Sequence, residues 1–133
     1  MANLDALFNG EIFRKDHPII IAQNRHLATI SPVRLAYHAS GYEAGRVLAR
    51  NSVSGFYERY DNGASSGLDT ATSVNLDAVD ATDFPSATGT VLARAVFGGE
   101  LYESKLAGLD ANAKTDLGSR SLVLADGTTV LKF

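Results

Sequence analysis

The chain has no cysteine and no tryptophan, one methionine and three prolines among 133 residues. Without cysteine it has neither a disulfide framework nor a thiolate metal site. Long apolar runs are also missing. The longest aliphatic one, Ile19-Ile20-Ile21-Ala22, falls far short of the roughly 20 residues a membrane helix needs. No basic stretch leads into an apolar one near Met1, so no secretory leader is expected. The reading is a protein made soluble in a cytoplasm, with no membrane partner. Clustered positive charge is absent too. The 12 Lys and Arg are scattered among 15 Asp and Glu, for a net charge of -3. A duplex-binding protein needs grouped cations to displace counterions, so no direct nucleic-acid contact is expected.

What is present is a globular composition. Hydrophobic residues make up 45% of the chain, a level that rules out disorder along its whole length. The length fits one domain. Residues 35–133 read as a β-rich core and residues 1–34 as an N-terminal arm. In the arm, Leu4, Leu7, Phe8, Ile12 and Phe13 follow neither the helical nor the strand period. Asn9-Gly10, the Asp16-His17-Pro18 break and Ser31-Pro32 interrupt it. The competing reading of this segment is an ordinary first strand on its own core.

The core begins with an alternation from Val33 to His38, in which Val33, Leu35 and Tyr37 form the inward set. Val47 and Leu48 belong to the next strand, and Phe56, Tyr57 and Tyr60 to another. Residues 62–72 have loop composition, and so do residues 77–86. Gly89 to Phe97 is the strongest strand pattern, and a strand resumes from Glu100 to Glu103 after Gly98-Gly99. Leu109, Ala113 and Leu117 mark one face of a short helix, with Asp110 as its N-cap and Gly118 as its C-terminal cap. Two strand-like runs flank Asp126-Gly127, which predicts a C-terminal hairpin. The expected fold is mainly β with short α-helices, a barrel-like compact core preceded by an extended arm.

No motif carries catalysis. Gly63-Ala64-Ser65-Ser66-Gly67 matches the nucleophile-elbow pattern by letter. That chemistry needs a helix after the serine and a histidine later in the chain, and His17, His26 and His38 all precede Ser65. Asp77, Asp80 and Asp83 recur every third residue but lack the glycine and closing glutamate of a calcium loop. The three histidines have no zinc-ligand spacing. No cofactor, metal or enzymatic activity is expected. Tyr42, Phe56, Tyr57, Tyr60, Phe97 and Tyr102 admit two readings, a stacking platform or core and cross-strand pairs.

A set of short segments then falls into a familiar order. Leu7-Phe8-Asn9-Gly10, Ala44 to Arg50, Ser54-Gly55-Phe56-Tyr57, Val74 to Ala81, and Gly98 to Glu103 followed by Leu106 together resemble the phage head decoration proteins, the lambda-like capsid-stabilising family. Two departures stand out. Residues 23–37 look like an insertion, and the chain after Leu122 makes a longer hairpin than the family's usual end. The resemblance implies a structural virion protein that clamps the outside of an expanded head at three-fold sites. It implies a homotrimer bound to the major capsid protein. It also implies a capsid-binding arm, carried here by Leu7, Phe8, Gly10, Ile12 and Phe13. The rival readings are a small β-rich carbohydrate-binding module, another virion surface, tail or connector protein, and a small hydrolase using Ser65.

Overall fold

In the computed structural model, the described residues are Ile21 and 28–133. Two long strands form the spine. β1 (Thr29–Ala36) lies antiparallel to β5 (Thr90–Gly98), in register from Ile30 opposite Val96 to Ala36 opposite Thr90. The period of two sorts their side chains. Val33 and Leu35 are buried, whereas Arg34 and its partner Leu92 stand in solvent. β2 (Val47–Arg50) pairs antiparallel with both β3 (Tyr57–Arg59) and β4 (Ala71–Asn75), and β4 pairs with β5. A single parallel pair, Leu35 with Tyr57, joins β1 to β3. The order β1-β3-β2-β4-β5 thereby closes into a barrel. Closure satisfies most ladder groups without exposing a long edge.

Five strands leave a narrow interior, because barrel diameter grows with strand number. The inward positions are accordingly small or slim. Ala93, Ala95 and Ser73 are inside, next to Val33, Leu35 and Leu48. Tyr42, Val79 and Phe84 complete this cluster from the connecting loops. β2 is buried on both faces. Leu48 points inward, while Val47 and Ala49 join Val74 and Val96 in a second apolar cluster on the outer side.

The C-terminal part of the chain covers that outer cluster. β6 (Glu100–Tyr102), β7 (Arg120–Val123) and β8 (Thr129–Lys132) form a second sheet with β8 in the middle. Between β6 and β7 lies α1 (Ala111–Asp116), whose Ala113 is fully buried. The Asp110 carboxylate accepts from the Ala113 N–H at 2.7 Å and caps the helix. Gly118 closes its other end at φ 64. The helix starts after Asp110, so Leu109 and Leu117 flank it, yet both still pack on the outer cluster. The hairpin turn at Asp126-Gly127 joins β7 to β8, with Leu124 N–H bonded to Thr128 C=O at 2.8 Å.

Two sequence expectations change. Ser31-Pro32 is not a break: both residues lie in β1, opposite Ala95 and Arg94. Proline is tolerated there because β1 meets its other neighbour, β3, only at Leu35, so the strand has a free side where no donor is needed. Residues 29–34, grouped with the arm by composition, are therefore part of the barrel.

Candidate attachment surfaces

The catalytic-type motifs resolve into turns. Ser65 is exposed in the connection from β3 to β4. A strand follows that loop, not the helix that an elbow needs. Ser66 adopts φ 58 and its C=O accepts from Ser52 N–H at 2.8 Å. A Cβ on Gly67 would come 2.6 Å from the Arg50 carbonyl oxygen. The loop is thus laid against the β2–β3 turn, and glycine is what permits the approach. Of the three aspartates, Asp77 binds Arg94 through Oδ1 at 2.8 Å and through Oδ2 at 3.1 Å. Asp83 Oδ2 accepts from Asp80 N–H at 2.8 Å across a 3₁₀ turn, Ala81–Asp83. Among the described residues no three His, Asp or Glu side chains converge where a metal ion could sit.

Four of the six aromatics are structural, Tyr42, Tyr60, Tyr57 and Phe97. Tyr42 is 1% exposed and its hydroxyl donates to the Ala36 carbonyl at 2.6 Å. Tyr60 is buried and donates to Asp110 Oδ1 at 2.9 Å. Burial, then the bonded carboxylate, pushes its pKa up to about 12. Tyr57 and Phe97 meet edge to face at 6.1 Å. Rings committed to hydroxyl partners and to each other do not present a flat stacking platform.

The surface next to Tyr42 is a charged clasp. Glu43 takes Arg46 on both oxygens, at 3.2 and 2.6 Å, and Arg59 at 3.0 Å. The Arg46 hydrogen bonds hold the Glu43 carboxyl below its usual range against a smaller opposing effect of burial. Arg59 also reaches the Gly41 carbonyl at 3.0 Å. Asn75, fully buried in β4, donates to the carbonyls of Glu43 at 3.0 Å and Asp77 at 2.6 Å. This clasp was not visible in the sequence as a unit.

Three features remain that an assembly could use. The first is the root of the N-terminal segment. Ile21 is 3% exposed, pairs antiparallel with Leu101 of β6, and belongs to the outer cluster. The sequence reading put Ile21 in the arm, and the structure puts it in the core. The second is the far edge of β7, which pairs with β8 alone among the described strands. The third is exposed apolar side chains: Val53 at the β2–β3 turn, Leu92 on β5 and Val123 at the end of β7. The arm residues themselves, Leu7, Phe8, Gly10, Ile12 and Phe13, lie outside the described residues.

Against known protein families, residues 16–122 match the profile of the bacteriophage lambda head decoration protein D. The chain belongs to this family. It is a structural protein of the phage head, and its place is the virion capsid. No curated protein and no solved structure matches it. The family match contains the whole barrel and α1. It leaves out the Leu7 to Phe13 segment at one end and β8 at the other. The clasp, the Ile21 anchor and the β2–β3 turn therefore all lie within the residues that the family profile matches.

Proposed function

We propose that the protein is a capsid cement. Made in the host cytoplasm, it binds the outer surface of the expanded head at three-fold sites, as a homotrimer against the major capsid protein, and stabilises the shell. The observation that supports this most is the family match over residues 16–122, which spans the closed barrel. The physics is compatible. A clamp needs no titratable centre and gains from a rigid body, and a closed symmetric oligomer suits a symmetric target. The net charge of -3 does not favour competition for packaged nucleic acid. The carbohydrate-module reading is weakened, because four of its six rings are spoken for: Tyr42 and Tyr60 are buried, and Tyr57 is paired with Phe97.

Attachment through the N-terminal arm is part of the proposal. Asp5 to Phe13 carries Leu7, Phe8, Ile12 and Phe13 with a glycine between them. Burying each large apolar side chain is worth roughly 1.5–3 kcal/mol. Ordering the backbone costs on the order of 1–2 kcal/mol per residue. The two totals are comparable, so a partner that supplies both apolar pockets and strand hydrogen bonds would decide the balance for docking. Three arms on one trimer would convert modest single-arm affinity into firm attachment. Deleting residues 1–13 should leave the thermal melt unchanged and greatly reduce co-pelleting with empty expanded heads. The double substitution Leu7→Asp, Phe8→Asp should do nearly the same. Undiminished pelleting would remove the arm from the mechanism, and a collapsed melt would return Leu7 and Phe8 to the protein's own core.

A further inference from the structure

The turn after β1 is held by a histidine. His38 Nδ1 accepts from the Ser40 N–H at 3.0 Å. A ring nitrogen accepts only when it carries no proton, so this imidazole is neutral with its proton on Nε2. Gly41 N–H donates to the His38 carbonyl at 2.9 Å and closes the turn. Gly41 sits at φ 67 with Val79 O against the place a Cβ would occupy, so glycine alone fits. The same turn anchors Arg59, whose Nε donates to Gly41 C=O at 3.0 Å and whose terminal nitrogen reaches Ser40 C=O at 3.4 Å. On the next residue, Tyr42 meets the His38 ring edge-on at 6.1 Å and bridges to Val79.

The charged groups that act on the imidazole are Arg59 and Arg46, which oppose its protonation, and Glu43 and Glu58, which favour it. Both carboxylates are already engaged. Glu43 holds the two arginines, and Glu58 Oε2 accepts from Asn51 Nδ2 at 2.9 Å. Tyr42, whose ring meets the imidazole, keeps its proton on the Ala36 carbonyl. Among the described residues, the two carboxylates that act on His38 each already hold another partner.

We infer that residues 38–41 form a pH-sensitive latch, closed by neutral His38 and loosened when Nδ1 takes a proton. The incoming proton binds the Nδ1 lone pair that now receives the Ser40 N–H. Donor then faces donor, that hydrogen bond is lost, and a new cation stands beside Arg59 and Arg46. Burial first, and then the two guanidinium groups, hold the His38 pKa below its ordinary 6.5 despite the glutamates. A histidine whose folded-state pKa is depressed supplies stability above its unfolded value and loses it as pH falls through the folded one.

The test pairs a titration with melts. In the unmodified protein, the NMR signals of His38 should titrate below 6.5, and R59Q should move that titration upward. Between about pH 7 and about pH 5, the wild type should lose more melting temperature than H38N, whose amide oxygen replaces Nδ1 as an acceptor that cannot titrate. The protection factor of the Ser40 amide, its exchange rate measured against the intrinsic rate at the same pH, should fall in acid in the wild type only. A His38 titrating at or above 6.5, or parallel pH profiles for wild type and H38N, would overturn the latch. The titration is read on the unmodified chain, so it decides the matter even where H38N folds poorly.

Discussion

The barrel and the C-terminal sheet bury comparable side chains but manage their edges differently. The barrel returns to its first strand, so β1 and β5 pair along nearly their whole length. Where β1 does have a free side, Pro32 occupies it and supplies no donor to a passing strand. The C-terminal sheet stays open. β6 has its outer edge touched by Ile21, whereas β7 ends the sheet with Val123 exposed and no proline. Its central strand, β8, lies beyond the stretch matched by the family profile, yet Val130 and Leu131 are fully buried. The barrel pairs its strands into a closed ring, but its outer apolar face is completed by Leu101 and Ala113 of the C-terminal part. The C-terminal sheet is a cover whose stability depends on one strand holding two others that do not touch each other.

The largest expected effect breaks the barrel. Leu48→Ala removes a fully buried side chain from the narrow interior and should cost about 2–5 kcal/mol in urea unfolding. Amide protection should fall in β1–β5 and in β6–β8 together. Protection lost in the barrel alone would mean that the cover folds independently. Next comes the joint between the two regions. Asp110→Ala removes both the α1 cap and the Tyr60 hydroxyl partner, and should cost about 1–2 kcal/mol. Tyr60→Phe isolates the hydroxyl share, and a null result for Asp110→Ala would separate α1 from the barrel.

A smaller effect is confined to the cover. Glu103 accepts from the Ser121 hydroxyl at 2.6 Å and pairs with Lys114 at 3.0 Å. The serine bond first, and the lysine after it, hold its carboxyl below the usual 4.5 while burial opposes them. Its contribution to stability is therefore present above 4.5 and is lost as pH falls through the lower folded value. Glu103→Gln should flatten the acid limb of the melting profile below that point and leave the neutral region nearly parallel. An unchanged acid limb would show that this contact does not hold β7 to the 3₁₀ turn Glu103–Lys105 that follows β6. Smallest of all, Ser65→Ala should shift stability by no more than ~0.5 kcal/mol, checked by the same melts.

What the sequence disclosed follows the range of the interactions. The Asp126-Gly127 hairpin, the Asp110 cap with Gly118, and the Val33/Leu35 alternation are local signals, and each marks its element in the structure. The parallel contact of Leu35 with Tyr57 and the insertion of β8 between β6 and β7 are long-range events with no local signature. Pro32 misled because proline usually punctuates, and only a strand's free side excuses it. Ile21 misled in the other direction. Its neighbours look like an arm, but its burial depends on Leu101, which is distant in sequence. The clasp joins Arg59 of β3 to the turn that carries Glu43 and Arg46, two parts of the chain that composition could not bring together.

The most direct measurement of the central claim is a pair of cryo-EM maps of expanded heads, one set assembled with this protein and one without. Added density is expected on the outer surface only, in groups of three copies around each three-fold site. Each copy should fit the closed barrel, with its N-terminal segment running into the shell. Isolated single copies, density on the inner surface, or density confined to the tail would contradict it.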